Sequence, residues 1–241
     1  MGLTDNRLKA RLLQSYRLVC NEGKCYFCSL VGRYRVWHRF DVHGNNQIEL
    51  GPGDCKPKPG FKTIDLNLTS DYPYDLRFGL PFADGTLDVI YAEHVLEHFE
   101  FRDLQFLLRD CYRCLRCGGI LSVVVPDARK YVESYISNDL SARCDCRYDW
   151  GLAFHSPVDY LNYIFYMDGG HRYMFDQQHG LAVIRATGFE EVEVRAFDPA
   201  LDRADRQYES LYFVARKVGE NDAMSKAGDS ATSDPTWPTG A

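Results

Sequence analysis

Two apolar runs, Leu87 to Ala92 and Ile120 to Val125, flank a segment of helical spacing, and no other feature of the chain limits its fold so tightly. Both runs suit a sheet that is buried on its two faces. Between them, Asp103 to Arg116 places Leu104, Leu107, Leu108, Cys111 and Leu115 on one helical face, with Gly118-Gly119 as the expected stop. Strand, helix and strand in that order predict a right-handed parallel crossover.

The flanking text continues the pattern. Gln47 to Leu50 and Lys62 to Asp65 read as two earlier strands, Gln177 to Ala186 as a helix stopped at Gly188, and Glu191 to Phe197 with Ser210 to Lys217 as two closing strands. Ahead of them, Asp5 to Val19 carries Leu8, Leu12, Leu13 and Tyr16 at helical spacing, so an appended helix with a loop-rich connection behind it is expected. The fold class is α/β, an open sheet whose ligands belong beyond the carboxyl ends of its strands.

Charge and composition remove several function classes. Residues 1–43 hold eight Lys or Arg against three Asp or Glu, a net of +5, whereas the whole chain of 241 residues has a formal charge of −6. A basic arm on an acidic body argues against broad nucleic-acid binding, which needs many neutralised phosphates. No apolar run approaches the roughly 20 residues of a membrane-spanning helix, and no apolar signal core opens the chain, so a cytoplasmic protein is expected. Nine cysteines then read as reduced thiols. Cys25-Tyr26-Phe27-Cys28 has the spacing of a zinc knuckle, with Cys20, His38 or His43 as further ligands, but a second pair is missing and no metal is expected. Cys111, Cys114 and Cys117 are better explained by packing. From Gly219 to Ala241 the text is Gly, Ser, Thr, Pro and Asp and is expected to be disordered.

Chemistry is written at the strand ends. The first strand runs into Glu49-Leu50-Gly51-Pro52-Gly53-Asp54, where glycine lets backbone approach a ligand and an acid can accept from an amine or hydroxyl. Asp65 ends the second strand, a position suited to two ribose hydroxyls; Asp75 can accept from an adenine amino group, with Leu66 or Leu76 on the ring faces. The crossover from Gly51 to Phe61 holds Pro57 and Pro59 where a dinucleotide fold starts its phosphate-binding helix. NAD and FAD need that helix for their pyrophosphate; a phosphate-free adenosyl compound does not. S-adenosyl-L-methionine is such a cofactor, and an acidic pocket suits its sulfonium.

Glu49 to Gly53, Asp65, the segment Leu80 to His98 with its Ala92-Glu93-His94-Val95-Leu96-Glu97-His98, and Arg113 to Gly119 together resemble class I S-adenosylmethionine-dependent methyltransferases, of the small bacterial type-11-like kind with a shortened first crossover. The resemblance runs from about residue 46 to 126, with a weaker echo to 217. It implies a Rossmann-like, seven-stranded, mostly parallel sheet with an antiparallel last strand, to which the residue pattern adds an N-terminal helical arm and an aromatic insert. In domain terms the expectation is a basic arm at 1–45, a methyltransferase domain at 46–218 with an insert at about 130–178, and a tail at 219–241. The resemblance places Glu49, Gly51 and Gly53 near the methionine part of the cofactor, Asp65 at the ribose, Asp75 with Leu76 at the adenine, and Glu93 with His94 beside the reacting methyl. Cys117 stands where the family commonly has proline, and Cys55 follows the glycine loop.

Methyl transfer from a sulfonium demands alignment first and a base only when the acceptor must lose a proton. His94, Asp127 and His171 are the candidate catalytic residues, with His98 read as a helix-surface histidine and Asp127 equally suited to cap a helix. Tyr131, Tyr135, Tyr148, Trp150, Phe154, Tyr160, Tyr163, Phe165, Tyr166, Tyr173 and Phe175, with His155, fit a cap over a small-molecule or glycan acceptor. A hydrophobic subcore or a homodimer contact explains the same residues. The expected activity is methyl transfer to oxygen; the alternative is a non-catalytic S-adenosylmethionine-binding or partner-binding protein.

Overall fold

The short apolar runs pair into one sheet. A computed structural model describes residues 3–138 and 156–219; side chains of residues 3–15, 17, 18 and 168 are excepted. Among the described residues the strands are β1 (Gln47–Leu50), β2 (Lys62–Asp65), β3 (Tyr72–Pro73), β4 (Leu87–Glu93), β5 (Leu115–Pro126), β6 (Glu191–Val194) and β7 (Ser210–Arg216). They lie in the order β3-β2-β1-β4-β5-β7-β6. β3, β2, β1, β4 and β5 pair in parallel, and β7 runs antiparallel to both β5 and β6. This is the seven-stranded Rossmann-like sheet expected, and its order reverses between β1 and β4. In such a sheet the reversal opens a crevice beyond the carboxyl ends.

Five helices accompany it among the described residues: α1 (Leu3–Arg39), α2 (Phe101–Cys114), α3 (Ala128–Ser137), α4 (Pro157–Tyr166) and α5 (Gln177–Arg185). The core forms where the α2 stripe, Leu104, Leu107, Leu108 and Cys111, meets Ile48, Ile90 and Leu121 of the sheet. Burial pushes the Cys111 thiol up and that of Cys114 up to about 12, so neither is a thiolate at neutral pH.

Three expectations are corrected. The helix ends at Cys114, before the glycine pair, because Leu115 already pairs with Leu87; Gly118, at φ +77°, lies inside β5 beside a register shift. β6 stops at Val194. The loop-rich connection expected after Val19 is helical, since α1 continues to Arg39. Gly32 allows this: a Cβ there would lie 2.2 Å from the Pro73 carbonyl oxygen, so only glycine lets the helix rest on β3. β3 is two residues long and contains Pro73, which leaves no periodicity to read.

Arginines counted as part of a basic arm therefore work as clamps. Arg33 donates to the Tyr74 hydroxyl at 3.1 Å, and Arg35 donates to the carbonyls of Ser70 at 2.6 Å and Asp71 at 3.3 Å. Arg35→Ala is expected to lower stability by about 1 kcal/mol, measured as a shifted urea midpoint; an unshifted midpoint would show the clamp to be idle.

Tyr131, Tyr160, Tyr163 and Ile164 bury one another in a second cluster, the hydrophobic subcore that was one reading of the aromatic excess. Tyr148, Trp150, Phe154 and His155 lie outside the described residues, as does 220–241. No described helix is long and apolar enough to cross a membrane.

Candidate functional site

Beyond the carboxyl ends of β1, β2 and β4 opens a cavity of about 690 Å³, lined by Gly51, Gly53, Asp65, Leu66, Asp75, Leu76, Glu93 and His94 among others. Eight of the residues expected to contact the cofactor thus come together. Glu49, Asp127 and His171 do not line it.

The first crossover contains no helix. Gly51, at φ +54°, turns the chain at the end of β1, and a Cβ there would lie 2.9 Å from a Val95 methyl. Gly53 N–H donates to Asp65 Oδ2 at 2.9 Å, and Asp65 Oδ1 accepts from Asn67 N–H at 3.3 Å. The glycine loop is thereby tied to the tip of β2, and each Asp65 oxygen keeps a lone pair for a ligand.

Asp75 is buried and more occupied. It caps the turn at Leu76–Phe78 by accepting from Arg77 N–H at 3.0 Å, and its two oxygens take the Arg77 guanidinium at 2.6 to 3.1 Å. These contacts fill its acceptor capacity, so the adenine contact expected of Asp75 competes with Arg77. The outer edge of Arg77 pairs with Glu22 of α1 at 3.0 Å.

The acids near the reacting end are neutralised by cations that no motif announced. Glu93 accepts from Lys58 Nζ at 3.1 Å and from Arg203 N–H at 3.1 Å, with Arg203 Nε 3.3 Å away. Lys58 also stands 4.4 Å over the Tyr91 ring. Glu49, buried behind the wall, accepts from Lys58 N–H at 2.9 Å, and burial pushes its carboxyl above the usual range. The acidic pocket expected for a sulfonium is therefore a mixed one. Arg172 and Arg206 also line it, and neither guanidinium has a hydrogen-bond or ion-pair partner among the described residues.

His94 follows β4 at φ +53°, a left-handed conformation that is costly for a residue with a Cβ and that recurs at functional sites. Ser210 Oγ donates to the Arg206 carbonyl at 2.7 Å, so the 2.8 Å contact with His94 must have Nε2–H as donor. Nδ1 is then the basic atom, and it faces Glu97 Oε1 at 3.5 Å. Burial holds His94 well below the ordinary histidine range.

Three further groups gather at this end. Glu97, on the turn Leu96–His98, is fully buried with no hydrogen-bond partner for either oxygen among the described residues, and burial pushes it up to about 8. His98 lines the cavity and meets the Gly170 carbonyl through Nδ1 at 3.0 Å. His171, buried, meets the Ile164 carbonyl through Nδ1 at 2.5 Å, and burial holds it down at about 4. Sequence reasoning gave Glu97 no role, although the doubled Glu-His of 93–94 and 97–98 was its signal. Asp127 is the N-cap of α3, accepting from Arg129 N–H at 3.0 Å, which is the alternative weighed for it. Cys28 is buried with its thiol toward the Leu66 carbonyl, and no described cluster of three ligating side chains includes Cys25 or Cys28.

Against known proteins, residues 74–123 match the family model described as a methyltransferase domain. No curated protein matches the chain. Among solved structures it is similar to a chain of the Haloferax volcanii complex containing the Trm112 methyltransferase activator, with TM-score 0.46, 15% identity, and 79% and 89% of the two chains covered. It is also similar to a SAM-dependent methyltransferase from Archaeoglobus fulgidus, with TM-score 0.44, 12% identity and 78% and 93% covered. A third is an S-adenosylmethionine-dependent methyltransferase from Mesorhizobium loti, with TM-score 0.43, 19% identity and 73% and 92% covered. The fold itself follows from the strand order.

Proposed function

We propose that this chain, whose residues 74–123 match the model of a methyltransferase domain, is an active S-adenosylmethionine-dependent enzyme methylating an oxygen of a small-molecule or glycan acceptor. One observation carries the reading: the crevice at the β1/β4 reversal is entered through a glycine loop with no helix behind it. A pyrophosphate would find no helix N-terminus there, whereas adenosine needs only hydroxyl and amine partners.

In this reading Asp65 takes the ribose hydroxyls from a carboxylate steadied by Gly53 N–H. Leu66 and Leu76 cover the adenine faces, and Arg77 stands beside them, held by Asp75. When bound, S-adenosylmethionine supplies a methyl group already activated for in-line displacement. Glu93, locked between Lys58 and Arg203, fixes the methionine end. His94 is the one of the three candidate bases that lines the cavity. Arg172 and Arg206 offer acceptor oxygens guanidinium groups that have no partner among the described residues. The free thiols, seven among the described residues, suit the reducing cytoplasm in which this reading sets the enzyme.

Calorimetric titration tests the reading. S-adenosylhomocysteine is expected to bind and NAD not to bind, and methyl transfer to a panel of hydroxyl acceptors should follow. Binding without transfer to any acceptor would favour the non-catalytic alternative; binding of NAD alone would end the assignment. Arg206→Ala is expected to raise the acceptor KM about tenfold through the loss of one charged hydrogen bond, with S-adenosylhomocysteine affinity unchanged.

A further inference from the structure

We infer that Glu97, His98 and His171 form a binding site for a divalent first-row transition-metal ion at the wall of the cavity. One ligating atom from each of the three lies within 4.8 Å of the other two. Two imidazoles and a carboxylate are the donor set of many zinc sites and non-haem iron sites.

The hydrogen bonds around the cluster leave its donors facing an ion. A carbonyl oxygen can only accept, so the Gly170 and Ile164 carbonyls fix the proton of His98 and of His171 on Nδ1. Nε2 of each ring is left with a bare lone pair, the arrangement by which a backbone carbonyl orients a ligating histidine. The rings stand edge to face with centroids 4.9 Å apart, which keeps the two imidazoles side by side.

Glu97 supplies the independent observation. Its side chain is wholly buried, yet both oxygens lack a hydrogen-bond partner among the described residues, a condition native interiors rarely tolerate. Protonation does not resolve it, because the carboxyl proton would also need an acceptor. His94 Nδ1 is 3.5 Å from Oε1, longer than an ordinary O–H···N bond. A cation between Glu97 and the two Nε2 atoms satisfies all three groups together. Three protein donors leave coordination positions open, and the exposed His98 in the cavity wall makes them reachable by an oxygen of a cavity ligand. The cysteines take no part in this set.

Cobalt(II) alone is the probe, added to the full-length chain under reducing conditions without any adenosyl compound, so the outcome is independent of the methyltransferase reading. The expected result is one equivalent bound with a visible d–d spectrum and no thiolate charge-transfer band. Glu97→Gln and His98→Ala should each weaken binding about tenfold or more. His98 is solvent-exposed, so its alanine variant tests the site even where Glu97→Gln fails to fold, with circular dichroism confirming each structure. No bound cobalt, a thiolate-type spectrum, or unchanged affinity in the folded His98→Ala chain would overturn the inference.

Discussion

Asp202→Ala is expected to remove about 3–5 kcal/mol of folding stability, the usual cost of taking one partner from a buried ion pair. The Asp202 side chain is wholly buried and holds Arg195 through two contacts of 2.6 Å. It also accepts from the Tyr91 hydroxyl at 2.9 Å and from Asp198 N–H at 2.7 Å. Alanine would strand the Arg195 cation over the Tyr212 ring, with only the Ser122 hydroxyl and the Ala196 carbonyl as hydrogen-bond partners among the described residues, and leave the fully buried Tyr91 without its acceptor. Against a total stability of roughly 5–15 kcal/mol for a domain, that loss should appear as a much lower urea midpoint with an unchanged slope. The sign with pH follows from the carboxyl. Burial pushes Asp202 up, but the Arg195 hydrogen bonds and charge outweigh it and hold it below the usual range. Its contribution is therefore complete above the ordinary aspartate value of about 3.9 and is lost as pH falls through the lower folded value. A difference from wild type under 1 kcal/mol at neutral pH would contradict this account. The consequence reaches the cavity, because the same loop delivers Arg203 to Glu93.

What could be read beforehand follows the range of the interactions. β4, α2 and β5 were legible because a buried sheet and an amphipathic helix write their burial into consecutive residues, and the glycine turn and Asp65 were legible because they adjoin those strands. β3 was not, being two residues held by α1 from some forty residues away. Lys58, Arg203 and Arg206 were invisible for the same reason: their partners, Glu93 and the cavity, are set by the folding of distant loops against one strand end. Asp127 and His171 show the converse. Their residue types suit proton transfer, but a helix cap and a buried carbonyl contact account for where they sit.

Asp65→Ala should weaken S-adenosylhomocysteine binding by about 10- to 100-fold, equivalent to roughly 1–3 kcal/mol for a ligand hydroxyl pair left without its acceptor. The existing partners of this carboxylate at the tip of β2, Gly53 N–H and Asn67 N–H, leave room for two more donors. Asp65→Asn separates two parts of that effect. An amide oxygen can still accept from Gly53 N–H and keep the loop in place, but it offers one acceptor in place of two and no charge, so an intermediate loss is expected with stability unchanged. Asp75→Ala serves as the contrast. Because Asp75 holds Arg77, and Arg77 holds Glu22, its removal should lower the unfolding midpoint as well as affinity. Calorimetry on all three variants, paired with urea melts, distinguishes a ligand contact from a brace: Asp65 must lose affinity beyond any loss of stability, and wild-type affinity in Asp65→Ala would remove it from the ribose site.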